Sequence, residues 1–280
     1  VHYRNAKTCR ELLRIDPRER VGGPVSIQLF GADPDVMRSA AASVAAAGAD
    51  LIDINMGCPV PKVCRTGAGA ALLADPDRAV AVARAAAEGS GLPVTVKLRS
   101  GWGVGERGGV ELARRLVDEG GVAAITLHPR PATIAHRGRP NYALVAELVR
   151  TLDAPVIVSG GLHSAEAVHE AFEQTGAAAV MLARGALGNP WLFEQVLGRR
   201  EQPPSAREVL DELDWVIDCA IVHLGAARAL RYLRRFYPWY LERLELERAD
   251  ARSLQAELQR AESFPQVREL LDRALAALLA

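Results

Sequence analysis

The sequence predicts an α/β protein in which a (β/α)8 barrel, with six of its eight strands visible, precedes a small all-helical domain. Short β-branched runs alternate with alanine-rich amphipathic stretches through the first 185 residues. Beyond residue 200 the β-branched runs disappear and amphipathic stretches continue. Strand and helix alternating at intervals of roughly 25–40 residues are typical of consecutive βαβ units, which form a parallel sheet.

The six predicted strands are almost continuously apolar, as expected for strands that are covered on both faces. They are VSIQL (25–29), LIDIN (51–55), VTVKL (94–98), AAITL (123–127), PVIVS (155–159) and AAVML (178–182). The predicted intervening helices span residues 34–47, 77–87, 109–119, 142–152 and 164–174. Asp33 and Asp75 each precede a proline, a pattern that predicts a helix N-cap followed by a proline in the first turn.

An open doubly wound sheet and a closed barrel both fit this alternation. A dinucleotide-binding sheet needs a GxGxxG turn directly after a strand, and the nearest candidate, GWGVGERGG (101–109), lacks the helix-opening context. Polar residues at the carboxyl ends of the strands favour the barrel, because these ends converge on the face that carries the active site. These residues are Gln28, Asn55, Lys97, His128, Ser159 and Arg184.

The remainder of the chain predicts a separate helical domain. The segment EQPPS (201–205) has the composition of a linker. Amphipathic helices are predicted after it over residues 206–224, 226–246, 251–261 and 264–279. We therefore assign residues 1–200 to the barrel and residues 201–280 to a helical domain.

Composition excludes several classes of protein. The 34 basic and 34 acidic side chains cancel, so any contact with a nucleic acid must come from a local patch. No apolar stretch reaches the roughly 18 residues of a membrane span, so we expect no membrane association. The four cysteines fit no disulfide spacing, and no Cys/His cluster has metal-ligand spacing. We expect a cytoplasmic protein without a metal, and a monomer.

Two glycine-containing turns near the end of the barrel predict a phosphate site. SGG (159–161) follows one predicted strand and ARGA (183–186) follows the next. Barrels often hold phosphate in the loops after the last two strands, where glycines let backbone N–H groups approach the anion. Arg184 can add a charge-assisted contact. The glycines could instead merely make tight turns, but two such turns at the expected strands favour a phosphate-bearing cofactor or substrate.

Cys58, in the segment NMGCP (55–59), is the sharpest catalytic candidate. It lies three residues beyond a predicted strand end, so its thiol should point into the mouth of the barrel and can act as a general acid. The alternative is an inert buried cysteine, and the position on a turn argues against it. On the same face, Lys97 could stabilise a negatively charged ring such as a reduced flavin, and His128 could hydrogen-bond the same ring.

A cluster of arginine and aromatic residues is the last candidate feature. Arg228, Arg231, Arg234 and Arg235 are followed by FYPWY (236–240). Interleaved arginines and aromatics can hold phosphates and stack on bases. An ordinary helix with a solvated basic stripe and an aromatic core stripe explains the pattern equally well.

Together these segments resemble the bacterial tRNA-dihydrouridine synthases, in particular the DusB-like branch. The resemblance extends over nearly the whole chain, and the block at 53–73 is highly specific. It rests on VSIQLFG (25–31), DINMGCPVPKVCRTGAGAALL (53–73), VTVKLRSGW (94–102), TLHPR (126–130), VIVSGG (156–161), VMLARGALGNPWLF (180–193) and RALRYLRRFYPWYL (228–241).

The resemblance implies an FMN-binding barrel, NADPH (or NADH) as reductant, and a helical domain that helps to hold tRNA. It implies that hydride passes to C6 of a flipped-out D-loop uridine while the cysteine, here Cys58, protonates C5. By motif, the flavin contacts would be Gln28, Lys97 and His128. Its phosphate would be held by Ser159, Gly160, Gly161, Ala183 and Arg184. The substrate contacts would be Asn55 to the uracil, and Lys62, Arg65, Arg231, Arg234 and Arg235 to the RNA.

The sequence departs from the family pattern at three places. The usual opening Ala-Pro-Met-Ala-Gly strand and the strand after it are absent, and a helix is predicted over residues 6–13 instead. SGG (159–161) stands where the family has Asn-Gly-Asp, and PRPATIAHRG (129–138) replaces the commoner GRTREQ-type segment. We therefore expect a barrel without its first two strands, with exposed core surface, and an active full-length protein of which this chain is an impaired form.

Two other functions fit part of the pattern. One is an FMN barrel that acts on a free pyrimidine, such as a dihydroorotate or dihydropyrimidine dehydrogenase, although the helical domain with its arginines argues against it. The other is a tRNA-binding remnant without flavin, which would follow from the absent strands. Retained tRNA affinity without flavin absorbance would identify the remnant.

Overall fold

The computed structural model describes residues 13–279 of the chain. These residues form two compact units: residues 13–162 and 167–182 make up the first, and residues 163–166 and 183–279 the second. Most of the helix predicted over residues 6–13 lies outside the described residues, as does Cys9. The assignment of residues 1–200 and 201–280 to two functional domains stays a prediction.

The first unit is built on six parallel strands that are hydrogen-bonded in sequential order. Each observed strand agrees with its predicted counterpart to within one residue at each end, so the predicted strands are confirmed. The curled sheet with helices around it is part of a (β/α)8 barrel, which confirms the predicted fold class. The strands are β1 (Ser26–Leu29), β2 (Leu51–Met56), β3 (Val94–Arg99), β4 (Ala124–His128), β5 (Val156–Ser159) and β6 (Ala179–Met181).

Helices follow the strands of this unit; five of them lie at the predicted positions, and the short helix Pro61–Cys64 was not predicted. At the start of two of them, Asp33 accepts hydrogen bonds from the backbone N–H groups of Asp35 and Val36, and Asp75 accepts one from that of Arg78. These carboxylates satisfy N–H groups that have no partner within the helix. The helices are α1 (Pro34–Ala46), α2 (Pro61–Cys64), α3 (Pro76–Ser90), α4 (Gly108–Asp118), α5 (Tyr142–Thr151) and α6 (Ala165–Thr175).

The sheet separates an apolar core from a polar surface. One set of alternating strand residues is fully buried, including Ile52, Ile54, Val96, Leu98 and Leu127. Each such side chain stabilises the fold by about 1.5–3 kcal/mol relative to an exposed one. Because strand side chains alternate between faces, the remaining set points to the opposite face of the sheet. That opposite face carries the polar residues described in the next subsection.

Helices α1 and α3 pack closely because a glycine removes a side chain at their crossing. A Cβ atom on Gly89 of α3 would lie 2.2 Å from the carbonyl oxygen of Arg38 in α1. At the same crossing, the Arg38 guanidinium forms an ion pair with Glu88 at 2.8 Å. The small residues of both helices, among them Ala40, Ala41 and Ala83, are buried there.

The second unit is entirely helical over its described residues. Its helices are α7 (Trp191–Val196), α8 (Ala206–Leu224), α9 (Ala226–Leu233), α10 (Tyr237–Leu241), α11 (Arg248–Arg260) and α12 (Phe264–Leu279). Its core includes Leu213, Ile217, Leu233, Tyr237 and Leu258. Among the described helices of both units, none is long and apolar enough to cross a membrane.

The prediction of one continuous helix over residues 226–246 is wrong. The helix ends at Leu233, and α10 begins at Tyr237 with Pro238 in its first turn. Proline has no backbone N–H group, so Pro238 cannot donate to the carbonyl of Arg234 and continue the helical ladder. The side chain of Gln259 donates to that carbonyl oxygen instead, at 2.6 Å.

Gly89→Ala should lower the free energy of unfolding by about 1–3 kcal/mol, because the new methyl group overlaps the backbone of α1. The gain in helix propensity of up to about 1 kcal/mol offsets this only in part. The urea midpoint of the purified protein measures the effect. Gly22→Ala is the matched control, since a Cβ there meets nothing within 4 Å. Equal midpoints for the two variants would contradict the role given to Gly89.

Candidate active site

Four neighbouring strands place polar side chains on one face of the sheet, here called the polar face. The parallel register aligns Gln28 with Asp53 and Asp53 with Thr95. It also aligns Asn55 with Lys97, and Arg99 with His128. By alternation, the polar face consists of Gln28, Asp53, Asn55, Thr95, Lys97, Arg99, Thr126 and His128. The structure therefore brings together Gln28, Asn55, Lys97 and His128, four of the residues singled out from the sequence.

A chain of hydrogen bonds crosses the polar face and ends at the turn that carries Cys58. Asp53 accepts from the hydroxyl of Thr95 at 2.7 Å and from the side-chain amide of Gln28 at 2.6 Å. Gln28 Oε1 accepts from Asn55 Nδ2 at 3.0 Å. Asn55 Oδ1 then accepts from the backbone N–H groups of Gly57 at 3.2 Å and Cys58 at 2.9 Å.

The backbone of Cys58 is held from both sides. Its N–H group donates to Asn55, while its carbonyl oxygen accepts from the N–H group of Ala70 at 3.0 Å and from the thiol of Cys64 at 3.3 Å. Gly69 has a φ of +63°, and a Cβ atom there would lie 2.6 Å from the Cys58 carbonyl oxygen. Cys58 is half-buried just beyond β2, and these hydrogen bonds fix its backbone.

Burial dominates the protonation equilibria of Asp53 and Lys97. It raises the pKa of the Asp53 carboxyl, while hydrogen bonds from Gln28 and Thr95 and the charge of Lys97 oppose the rise. Burial, reinforced by the charge of Arg99, lowers the pKa of the Lys97 ammonium, while Asp53 and Cys58 oppose this. Lys97 donates no hydrogen bond to any residue in the described range, so its ammonium group can serve a bound molecule.

His128 is enclosed by cationic groups. Its Nε2 atom lies 3.0 Å from Nη1 of Arg130, and its ring stacks on His136 with 5.8 Å between centroids. Burial and the charges of Arg99, Lys97, Arg130 and His136 lower the pKa of His128 to about 2. The imidazole is therefore neutral at every pH at which the protein would work.

The loop after β4, residues 129–141, is fixed to the polar face by two arginines. Arg130 donates to the carbonyl oxygen of Gly138 through Nε at 3.0 Å and Nη2 at 2.7 Å. Arg99 donates to the carbonyl oxygen of Ala135. Ala135 has a φ of +52°, the left-handed region that an alanine rarely adopts, so this loop stores backbone strain beside the site.

The turn after β5 provides backbone N–H groups at the same edge of the sheet. Gly160 and Gly161 have φ angles of +94° and +87°, which favour glycine. A Cβ atom on Gly160 would lie 2.2 Å from the His128 ring. The hydroxyl of Tyr142 donates to the Gly160 carbonyl oxygen at 2.9 Å, which fixes the turn. Ser159, at the end of β5, is buried.

The remaining predicted residues lie elsewhere. Ala183 and Arg184 are exposed and belong to the second unit, where Arg184 begins a 3-10 turn (Arg184–Ala186). Lys62 and Arg65 are exposed on and directly after α2, the short helix beyond Cys58. They therefore form a small basic surface on the first unit.

The arginine cluster of the second unit divides into exposed and packed members. Arg228, Arg231 and Arg235 are exposed, and Arg235 lies over the ring of Tyr232 at 4.3 Å. Arg234 instead donates to the carbonyl oxygen of Ala261 at 3.1 Å.

The aromatic residues beside these arginines divide in the same way. Tyr237 and Tyr240 lie in the core of the unit, whereas Tyr232 is 40% exposed. The exposed arginines and the buried tyrosines agree with the ordinary amphipathic interpretation of the segment, and its role in holding RNA stays a prediction.

Besides Thr126, sequence reasoning missed four residues of the polar face and its loop: Asp53, Thr95, Arg99 and Arg130. Each is buried or half-buried: Asp53 and Arg130 contact Gln28 and His128, Arg99 contacts the loop after β4, and Thr95 donates to Asp53. Counting back two residues from Asn55 and Lys97 would have found Asp53 and Thr95, because strand side chains return to the same face every second residue. The contacts of the arginines depend on loop conformation, which no sequence period encodes.

The polar face fits an anionic, phosphate-bearing ring system such as a flavin nucleotide. The buried charged side chains of the described residues are Arg99, Arg130 and Asp53, and half-buried Lys97 adds a further positive charge. Positive charge thus exceeds negative charge, which favours an anion. The turn at Gly160 and Gly161 lies at the same edge of the sheet, and His128, Pro140 and Tyr142 occupy the space that Cβ atoms there would take. Over residues 13–279, no group of three or more His, Cys, Asp or Glu could hold a metal ion.

The chain is similar to known proteins over nearly its whole length. A family model described as "Dihydrouridine synthase (Dus)" matches residues 2–278. A probable tRNA-dihydrouridine synthase 1 from Synechocystis sp. is 36% identical over 280 residues, which cover 96% of this chain and 75% of the relative. A tRNA-dihydrouridine synthase B from Xanthomonas axonopodis pv. citri is 35% identical over 222 residues, 78% of this chain and 67% of the relative. A probable tRNA-dihydrouridine synthase from Rhodobacter capsulatus is 35% identical over 245 residues, which cover 86% of this chain and 74% of the relative.

Asn55→Ala should speed hydrogen exchange at the Gly57 and Cys58 amides by about tenfold or more, because losing an acceptor costs about 1–3 kcal/mol. Peptide-resolved hydrogen exchange with mass spectrometry measures it. Asn55→Asp keeps an acceptor oxygen toward both amides but cannot donate to Gln28 Oε1; as the matched control it should retain more of their protection than Asn55→Ala. Unchanged exchange in the alanine variant would show that the turn does not depend on Asn55.

His128 should make the protein less stable as the pH falls below 6.5. In the folded state its pKa is about 2, whereas in the unfolded chain it is near 6.5, so only the unfolded chain gains a proton in this window. The contribution of neutral His128 to the free energy of unfolding is fully present above pH 6.5. Below pH 6.5 it declines by roughly 1.4 kcal/mol per pH unit. Urea unfolding at pH 7.5 and 5.0 should show a smaller loss for His128→Gln than for wild type. His223→Gln, at an exposed position of α8, is the control and should lose as much stability as wild type.

Proposed function

The chain belongs to the dihydrouridine synthase family, and on that premise we propose that it reduces the 5,6 double bond of uridine in the D-loop of tRNA. The proposed cofactor is FMN, with NADPH or NADH as the reductant, and Cys58 is the proposed proton donor. The names of the relatives support tRNA as the substrate. The cytoplasm and a monomeric state remain our expectations for location and assembly.

One observation carries the catalytic part of this proposal. The turn with Cys58 is hydrogen-bonded to Asn55, and Asn55 lies beside Gln28 and Lys97 on the polar face. A thiol that is to protonate a carbon atom must be held at a fixed point near the ring that is reduced. The double attachment of the Cys58 backbone supplies that rigidity.

The flavin would occupy the polar face of the first unit. Gln28, Lys97 and His128 would contact its ring, and the turn from Ser159 to Gly161 would face its phosphate. Bound FMN supplies the hydride that saturates C6 of the uracil. The ammonium group of Lys97 would stabilise negative charge on the ring, because it is half-buried and shares the site with one carboxylate, Asp53. Ala183 and Arg184 belong to the second unit, and their phosphate role remains a prediction from the family.

The residues of the chain itself would then complete the reduction. Cys58 gives its thiol proton to C5 of the uracil and recovers a proton from solvent. Asn55 Oδ1 is already engaged by two backbone amides, so Asn55 would contact the base through the free N–H of its Nδ2. Asn55 would therefore recognise an acceptor atom, such as a uracil carbonyl oxygen.

Basic surfaces on both units would bind the RNA. Lys62 and Arg65 are exposed near Cys58, where they can contact phosphates next to the flipped-out nucleotide. In the helical unit, Arg231 and Arg235 are exposed and suited to the same role. Arg234 is packed against Ala261, so we assign its side chain mainly to the stability of that unit. Residues 1–200 would form the FMN-binding domain and residues 201–280 the tRNA-binding domain.

Cys58→Ala should lower the rate of dihydrouridine formation in unmodified tRNA by about 100-fold or more, because general acid catalysis typically contributes that much. Dihydrouridine is measured by mass spectrometry of digested tRNA after incubation with FMN, NADPH and enzyme. Cys219→Ala, which alters a half-buried cysteine of α8, is the control and should keep the wild-type rate.

Two further measurements separate this proposal from its rivals. The flavin absorbance of the Cys58→Ala variant should match that of wild type, so that a lost rate cannot be attributed to a lost cofactor. Free uracil and dihydroorotate should not react. Full activity of the alanine variant would remove the proton-donor role, and turnover of free pyrimidines without tRNA would favour a pyrimidine dehydrogenase.

A further inference from the structure

The contact between Arg130 and His128 decides which ring nitrogen of the histidine carries its proton. His128 Nε2 lies 3.0 Å from Nη1 of Arg130. A guanidinium group has donors only and keeps its proton at all accessible pH values. Nε2 must therefore be the acceptor in this hydrogen bond and cannot itself carry a proton.

The other nitrogen must then hold the ring proton, because the imidazole is neutral. Lys97 and Arg99 face His128 from β3, and Arg130 and His136 face it from the loop after β4. A second proton on the ring would be added beside the charges of Lys97, Arg99 and Arg130, and on Nε2 it would oppose an N–H of Arg130 directly. One proton on Nδ1 is the arrangement that remains.

Arg130 is held too firmly to turn away from this contact. Its Nε and Nη2 atoms both donate to the carbonyl oxygen of Gly138, and the residue is 6% exposed. The histidine ring is also fixed, by the stack with His136 and by Gly160, where a Cβ atom would lie 2.2 Å from Nε2. Neither partner can rotate without breaking other contacts.

We propose that Arg130 is a positioning residue that holds His128 as the neutral Nδ1–H tautomer, so that His128 offers a hydrogen-bond donor and no acceptor to the bound cofactor. The tautomer follows from the contacts alone. The part concerning the cofactor rests on the proposed function. A donor suits a carbonyl oxygen or an unprotonated ring nitrogen, which are acceptors on an isoalloxazine ring.

Nuclear magnetic resonance of protein labelled with ¹³C and ¹⁵N at histidine tests the tautomer directly, because the ring shifts distinguish Nδ1–H from Nε2–H. The His128 signals are assigned by their loss in His128→Gln. In wild type we expect a single Nδ1–H tautomer that does not change between pH 5 and pH 8. A wild-type His128 protonated on Nε2 would overturn the proposal.

Variants of Arg130 test its role. Arg130→Met removes every donor, and Arg130→Glu offers only acceptor oxygens while remaining polar, which favours folding. In either variant we expect a proton on Nε2 to become populated. If Arg130→Met does not fold, Arg130→Glu alone decides. The control is Arg137→Met, an exposed arginine of the same loop, which should keep the wild-type spectrum. An unchanged single Nδ1–H tautomer in a folded Arg130 variant would overturn the proposal.

Addition of FMN to flavin-free protein tests the consequence for the cofactor. We expect the Nδ1 resonance of His128 to shift on binding, and an unchanged resonance in FMN-loaded protein would overturn that part. These outcomes are independent of the tRNA assay. The tautomer can be shown in a protein that does not modify tRNA, and tRNA modification can be found in a protein whose His128 carries its proton on Nε2.

Discussion

The hydrogen-bond chain from Asp53 to the Cys58 turn is the constraint on which the site depends. One end of this chain can only donate hydrogen bonds, because it consists of backbone N–H groups. The other end can only accept them, because it is an ionised carboxylate. The amide of Asn55 must turn its oxygen to the backbone, and the amide of Gln28 must turn its nitrogen to Asp53. A single buried carboxylate therefore orients two amides, and through them the backbone of Cys58.

Electrostatics give the polar face its second constraint. Burial, together with the charges of Arg99, Lys97 and Arg130, keeps His128 neutral, while Asp53 is the buried carboxylate among the described residues. Concentrating positive charge in a half-buried site costs free energy unless an anion is bound, and this cost explains why such a face suits an anionic ligand. The strained backbone at Ala135 lies in the loop that Arg99 and Arg130 hold in place.

In the helical unit, a single proline changes which arginines of the segment 228–240 reach the surface. Pro238 interrupts the helix, the Arg234 carbonyl turns to Gln259, and the Arg234 side chain turns to Ala261. Two of the three arginines predicted to contact RNA, Arg231 and Arg235, stay at the surface. Amphipathic periodicity alone does not separate them from Arg234, because the break in the helix changes which side each residue faces.

The sequence by itself determined the strands, the helix caps at Asp33 and Asp75, the family resemblance and the position of Cys58 just beyond β2. These follow from periodicity, N-cap chemistry and short motifs, all of which are local. Tertiary structure alone decided three hydrogen bonds. Asp53 accepts from the Gln28 amide, the Cys58 carbonyl oxygen accepts from the Cys64 thiol, and His128 Nε2 contacts Arg130. Such contacts join residues on different strands and loops, and their geometry is set by strand register and loop conformation, which no local pattern records.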